Sequence, residues 1–90
     1  MNQPLYSIGT WDPELEAFTP QVDVPAFNLT RKRLVASIRM LLDCGYTCHR
    51  FRERDENGDL DDWAYDSDTF VMIQRTDGMS EEAILKEWKR

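Results

Sequence analysis

Ninety residues with 41% hydrophobic and 31% charged side chains, and with three Trp, three Tyr and four Phe, describe one folded domain, residues 1–90, and exclude a disordered chain. The formal net charge of −6 sets the surface as a whole against bulk nucleic acid and anionic membrane, and no stretch is apolar enough to span a bilayer. So short a chain has little room for a core and a deep catalytic cavity together, which disfavours an enzyme.

Met1 to Gly9 lacks the basic start and apolar middle of a signal peptide. Cys44 and Cys48 are too few and too close for a secreted disulfide framework, so the cytoplasm is the expected compartment. From Leu5 to Trp11 the residues Tyr6, Ile8 and Thr10 alternate with Ser7 and Gly9, which predicts a strand. Asp12-Pro13 suits a type I turn, and Glu16 to Thr19 returns as a second strand that brings Phe18 near Ile8 before Pro20 stops it. Gln21 to Phe27 is a linker, with Val22, Val24 and Phe27 along the core.

Thr30 is placed to cap a helix, Asn28 being the alternative, with Leu29 and Leu34 as a hydrophobic staple. Leu34, Val35, Ile38, Leu41 and Leu42 form its apolar stripe, opposite Lys32, Ala36, Arg39 and Asp43, and Gly45 ends it. Burying five such side chains contributes on the order of 10 kcal/mol before chain entropy is subtracted, so this helix is the main core-builder.

After Gly45 the period changes to two. Tyr46, Cys48, Arg50, Arg52 and Arg54 alternate with Thr47, His49, Phe51 and Glu53, and Asn57-Gly58 reads as a type I′ hairpin turn. Pairing Glu56 with Asp59 sets Arg54 opposite Asp61, Arg52 opposite Trp63 and Arg50 opposite Tyr65, an ion pair and two cation–aromatic pairs on one face. The hairpin also brings seven basic residues between Asn28 and Arg54 toward the seven acids between Asp55 and Asp68, so most of the basic patch is expected to be neutralised. Thr69 to Thr76 is a strand apolar on both faces. Ser80 caps a last helix, with Met79 and Ile84 as its staple, Glu81 and Glu82 in its first turn, and Ile84, Leu85 and Trp88 docking it. The expected fold is α+β, an antiparallel sheet of element order ββ-α-βββ-α with both helices packed on one face.

From the central helix onward the order α-β-β-β-α resembles that of the double-stranded-RNA-binding domains and the small toxin folds related to them. Such binders place lysines at the start of the second helix to hold phosphates. This chain reads Ser80-Glu81-Glu82 there, so RNA binding is not carried over.

Cys44, Cys48 and His49 are spaced C-x3-C-H, which matches neither zinc ligation nor haem attachment, and the helix C-terminus disfavours a Cys44 thiolate. Packed, reduced cysteines are expected, with no metal and no cofactor. Asp55, Asn57, Asp59, Asp61 and Asp62 imitate half of a calcium loop, but Leu60 stands where glycine is needed and Asp66 where a bidentate Glu is needed, so a solvated hairpin tip is expected.

Arg50, Arg52, Arg54, Trp63 and Tyr65 form the candidate contact surface, since arginines interleaved with aromatics are what a protein partner would bury. The sequence therefore predicts a non-enzymatic domain that binds another protein, or a copy of itself, through that sheet face. Nucleic-acid binding through the same face is the alternative that the net charge opposes. A small enzyme or toxin using His49 is a third reading, and the sequence shows no acid/base partner for it.

Overall fold

The computed structural model describes residues 3–46, 48–52 and 70–89. The first hairpin follows from local chemistry. β1 (Tyr6–Asp12) runs into a loop where the Asp12 carboxylate accepts from the amides of Glu14 (2.9 Å) and Leu15 (3.3 Å), the aspartate-led turn that Asp12-Pro13 favours. β2 (Ala17–Thr19) then returns antiparallel and ends at Pro20, which cannot donate to a ladder. The register sets Phe18 opposite Trp11, and the rings meet edge to face at 5.3 Å, so Phe18 packs with Trp11 instead of approaching Ile8.

α1 (Arg31–Asp43) is capped by Thr30, whose hydroxyl accepts from the Arg33 amide, and it stops where Gly45 takes φ +99. β3 (Cys48–Arg52) and β4 (Phe70–Arg75) complete the sheet among the described residues, and α2 (Glu81–Trp88) is capped by Ser80 accepting from the Ala83 amide. Neither helix is long and apolar enough to cross a membrane.

The strand order is β2-β1-β4-β3. β2, β1 and β4 form an antiparallel three-stranded sheet, giving the expected α+β fold with two helices. β3 joins it differently: Cys48 to Arg52 pair in parallel with Phe70 to Gln74, so the sheet is mixed. The Asn57-Gly58 hairpin and its cross-strand pairs lie outside the described residues.

The expectation of both helices on one face is corrected. Alternation along β4 sends Val71 and Ile73 to a cluster with Ile8, Leu29, Leu34 and Leu41 of the α1 side, and Met72 to a second cluster with Trp11, Phe18, Ile84 and Trp88 of the α2 side. A strand apolar on both faces needs cover on both, and one helix is laid over each.

Two polar links hold these layers. Asn28, at φ +50, accepts from the Thr76 hydroxyl (2.8 Å) and the Gly78 amide (2.9 Å) and donates to the Met79 carbonyl (2.8 Å). Its own amide donates to Ser7 Oγ. Since the single Thr76 proton goes to Asn28, Ser7 donates to Thr76 across 2.8 Å. On the opposite face Trp88 is buried with its indole N–H donating to Gln74 Oε1 (2.7 Å), while Gln74 Nε2 donates to Glu87 (2.8 Å). The Trp88 ring stacks on Phe27 and lies directly over Gly9, where any side chain would collide with it.

Candidate interaction surface

α1 is rotated relative to the expected stripe. Leu34, Ser37 and Leu41 are buried and Ile38 is half-buried, whereas Val35 is 42% exposed and Leu42 52%. Ser37 accounts for the rotation. Its hydroxyl donates to the Pro25 carbonyl at 2.7 Å, so the linker carrying Val24, Ala26 and Phe27 crosses the helix at a small residue and draws that flank inward. Val35 and Leu42, on the other flank, turn out to water. The core-facing set is therefore three apolar residues, not five, and the linker's own Val22 is exposed instead of lying along the core.

The result is a helix with two apolar stripes. One, through Leu34 and Leu41, faces the sheet. The other runs Val35, Ile38, Leu42 at intervals of three and four residues, with Arg31 one turn ahead on the same line, the spacing by which one helix meets another. Lys32 and Arg39 border it, and Arg31, Lys32, Val35, Ala36 and Arg39 line a shallow concavity of about 540 Å³. α1 carries four basic residues and one acid. Among the described residues, no ion pair or side-chain hydrogen bond engages Arg31, Lys32, Arg33 or Arg39, and the acids from Asp55 to Asp68 that the sequence sets against the basic patch lie outside the described residues. The first turn holds three bases and no acid, opposite to what the helix dipole favours. In a protein whose total charge is −6, α1 thus gathers positive charge, unpaired among the described residues, around solvent-exposed aliphatic side chains.

The residues nominated from the sequence are placed only in part. β3 sets Arg50 level with Met72 and Arg52 level with Gln74, on the outermost strand among the described residues. Arg54, Trp63 and Tyr65 lie outside the described residues, as do Asp55 to Asp62. His49 falls on β3 in register with Val71. Cys44, expected to be packed, is an exposed free thiol at the C-cap of α1. Among the described residues no three His, Cys, Asp or Glu side chains cluster as metal ligands would.

A second concavity, of about 720 Å³, lies between β2 and the end of α2, lined by Leu15, Phe18, Pro20, Leu85 and Lys89 among others. Lys89 bridges Ala17 along that edge, so the chain itself occupies part of the β2 ladder. Val35 and Leu42 were missed as surface residues because periodicity gave only a width. Five apolar residues spread over about a third of the helix circumference leave the centre of the contact face open, and the serine just beyond the Leu41 edge of the arc marks which side lies against backbone.

No protein-family model, curated protein or solved structure matches this chain.

Proposed function

We propose that this chain is a non-enzymatic protein-interaction domain of the cytoplasm that docks a partner protein through the outer face of α1. The observation that carries the reading is the exposed Val35–Leu42 stripe bordered by Lys32 and Arg39, neither of them ion-paired among the described residues. Water-exposed aliphatic area next to unsatisfied charge is what a contact with an aliphatic centre and a polar rim uses. The total charge of −6 favours protein over nucleic acid as the partner. Arg50, Arg52, Arg54, Trp63 and Tyr65 remain the sequence's own nomination for a second contact area.

Photo-crosslinking tests this. A photoreactive residue at Leu42 should capture a discrete partner in cells, and one at Val22, which is 86% exposed on the linker, should not. A third probe at Trp63 reports on the sequence-nominated face. Equal capture from Leu42 and Val22 would reject α1 as the docking surface. An adduct at Leu42 that proves to be nucleic acid, with binding that falls steeply as salt rises, would reject the protein reading.

A further inference from the structure

Resting on that reading, we infer that the partner element docked by α1 is an amphipathic α-helix carrying carboxylates along the flank that meets Lys32 and Arg39. Three observations converge on this occupant.

The first is spacing. Val35, Ile38 and Leu42 repeat at three and four residues, so they stay in line along one side of the helix and present holes that a second helix fills with its own repeat. An extended strand, with a period of two, matches only alternate members of such a row. The half-buried Ile38 joins this row to the core, giving the seam a rigid floor.

The second is the charge border. In paired helices the residues flanking the apolar seam choose the partner. Here one flank of the seam is the core side, through Leu34 and Leu41, and the open flank is Lys32 and Arg39, seven residues apart and, among the described residues, both without a carboxylate. Two cations one heptad apart match two acids one heptad apart on a partner, and repel a basic helix of the same apolar pattern.

The third is size. Thirteen residues make a helix about 20 Å long, enough for roughly two heptads of contact and well short of a large obligate interface. Such a contact is exchangeable and responds strongly to the charge border.

The experiment uses the full chain and three synthetic peptides: a helix with an apolar seam and glutamates on its flank, the same helix with lysines on that flank, and the glutamate peptide broken by central prolines. Binding is read by fluorescence anisotropy and by methyl shifts of Val35, Ile38 and Leu42. The acidic helix should bind at least tenfold more tightly than the basic one, shift those methyl groups, and lose binding in Leu42→Glu. The double variant Lys32→Glu/Arg39→Glu should reverse the preference, which a folding defect would not do. Equal binding of acidic and basic helices, or of the proline-broken peptide, would overturn the inference. If Leu42 crosslinks a partner in cells while the peptides show no such ranking, the docking surface stands and the acidic helix falls; if Leu42 captures nothing, both fall.

Discussion

Replacing Gly9 by alanine probes how the α2 layer sits on the sheet. A methyl group built on Gly9 would lie 2.8 Å from Cζ3 of Trp88, 3.1 Å from Cε3 and 3.2 Å from Cη2, inside the contact distance of two carbons. The ring has little room to retreat, being 1% exposed, stacked on Phe27 at 5.7 Å and 19°, and tied through its N–H to Gln74 at 2.7 Å. Overpacking of this kind costs about 1–3 kcal/mol, and the lower chain entropy of alanine returns about 0.5–1 kcal/mol. A net loss of about 1–2 kcal/mol lowers the unfolding midpoint of a domain this size by about 5–15 °C. Thermal unfolding followed by circular dichroism measures it. In a Trp88→Leu background the smaller side chain leaves space above the strand, so the added methyl should be tolerated, giving a coupling of about 1 kcal/mol or more. Unfolding of Gly9→Ala at or above the parent temperature, or an equal loss in both backgrounds, would refute the packing argument.

Asn28→Gly keeps the φ +50 backbone accessible while removing the side chain that joins Thr76, Gly78 and Met79, so urea unfolding should show a loss of about 1–3 kcal/mol, and parent-like stability would contradict the network. Gln74→Leu removes the acceptor of the buried Trp88 N–H, with an expected loss of about 1–3 kcal/mol in the same assay. Arg33→Glu places an acid three residues after the Thr30 cap and at the positive end of the helix dipole, and should raise stability by about 0.5–1 kcal/mol; a lower midpoint would count against the capping geometry. Lys32→Glu should stabilise α1 by a few tenths of a kcal/mol for the same dipole reason while weakening capture at Leu42, so that stability and binding move in opposite directions.

Much of this fold is legible in the sequence because its punctuation is local. Asp12-Pro13, Pro20, Thr30, Gly45 and Ser80 each act through a backbone group within a few residues, and the elements begin or end beside them. The apolar run from Phe70 to Ile73 also announced a strand inside a sheet, and that pattern already implied cover on both faces. What the sequence does not display is long-range. Parallel pairing of β3 with β4 joins residues more than twenty positions apart and leaves no mark in either strand's composition. The rotation of α1 depends on one serine meeting a carbonyl twelve residues away. For the candidate surface the lesson is similar. The basic residues of α1 were visible from the start, but the exposure of Val35 and Leu42 beside them emerges only once Ser37 has set the helix's angle to the sheet.

The second apolar stripe of α1 is tested most directly by methyl NMR of the free protein with a soluble paramagnetic relaxation agent. Strong broadening of the Val35 and Leu42 methyl signals, with Leu34 and Leu41 untouched, is the expected result. Equal protection of all four would mean that the stripe is already covered, and no partner could dock there.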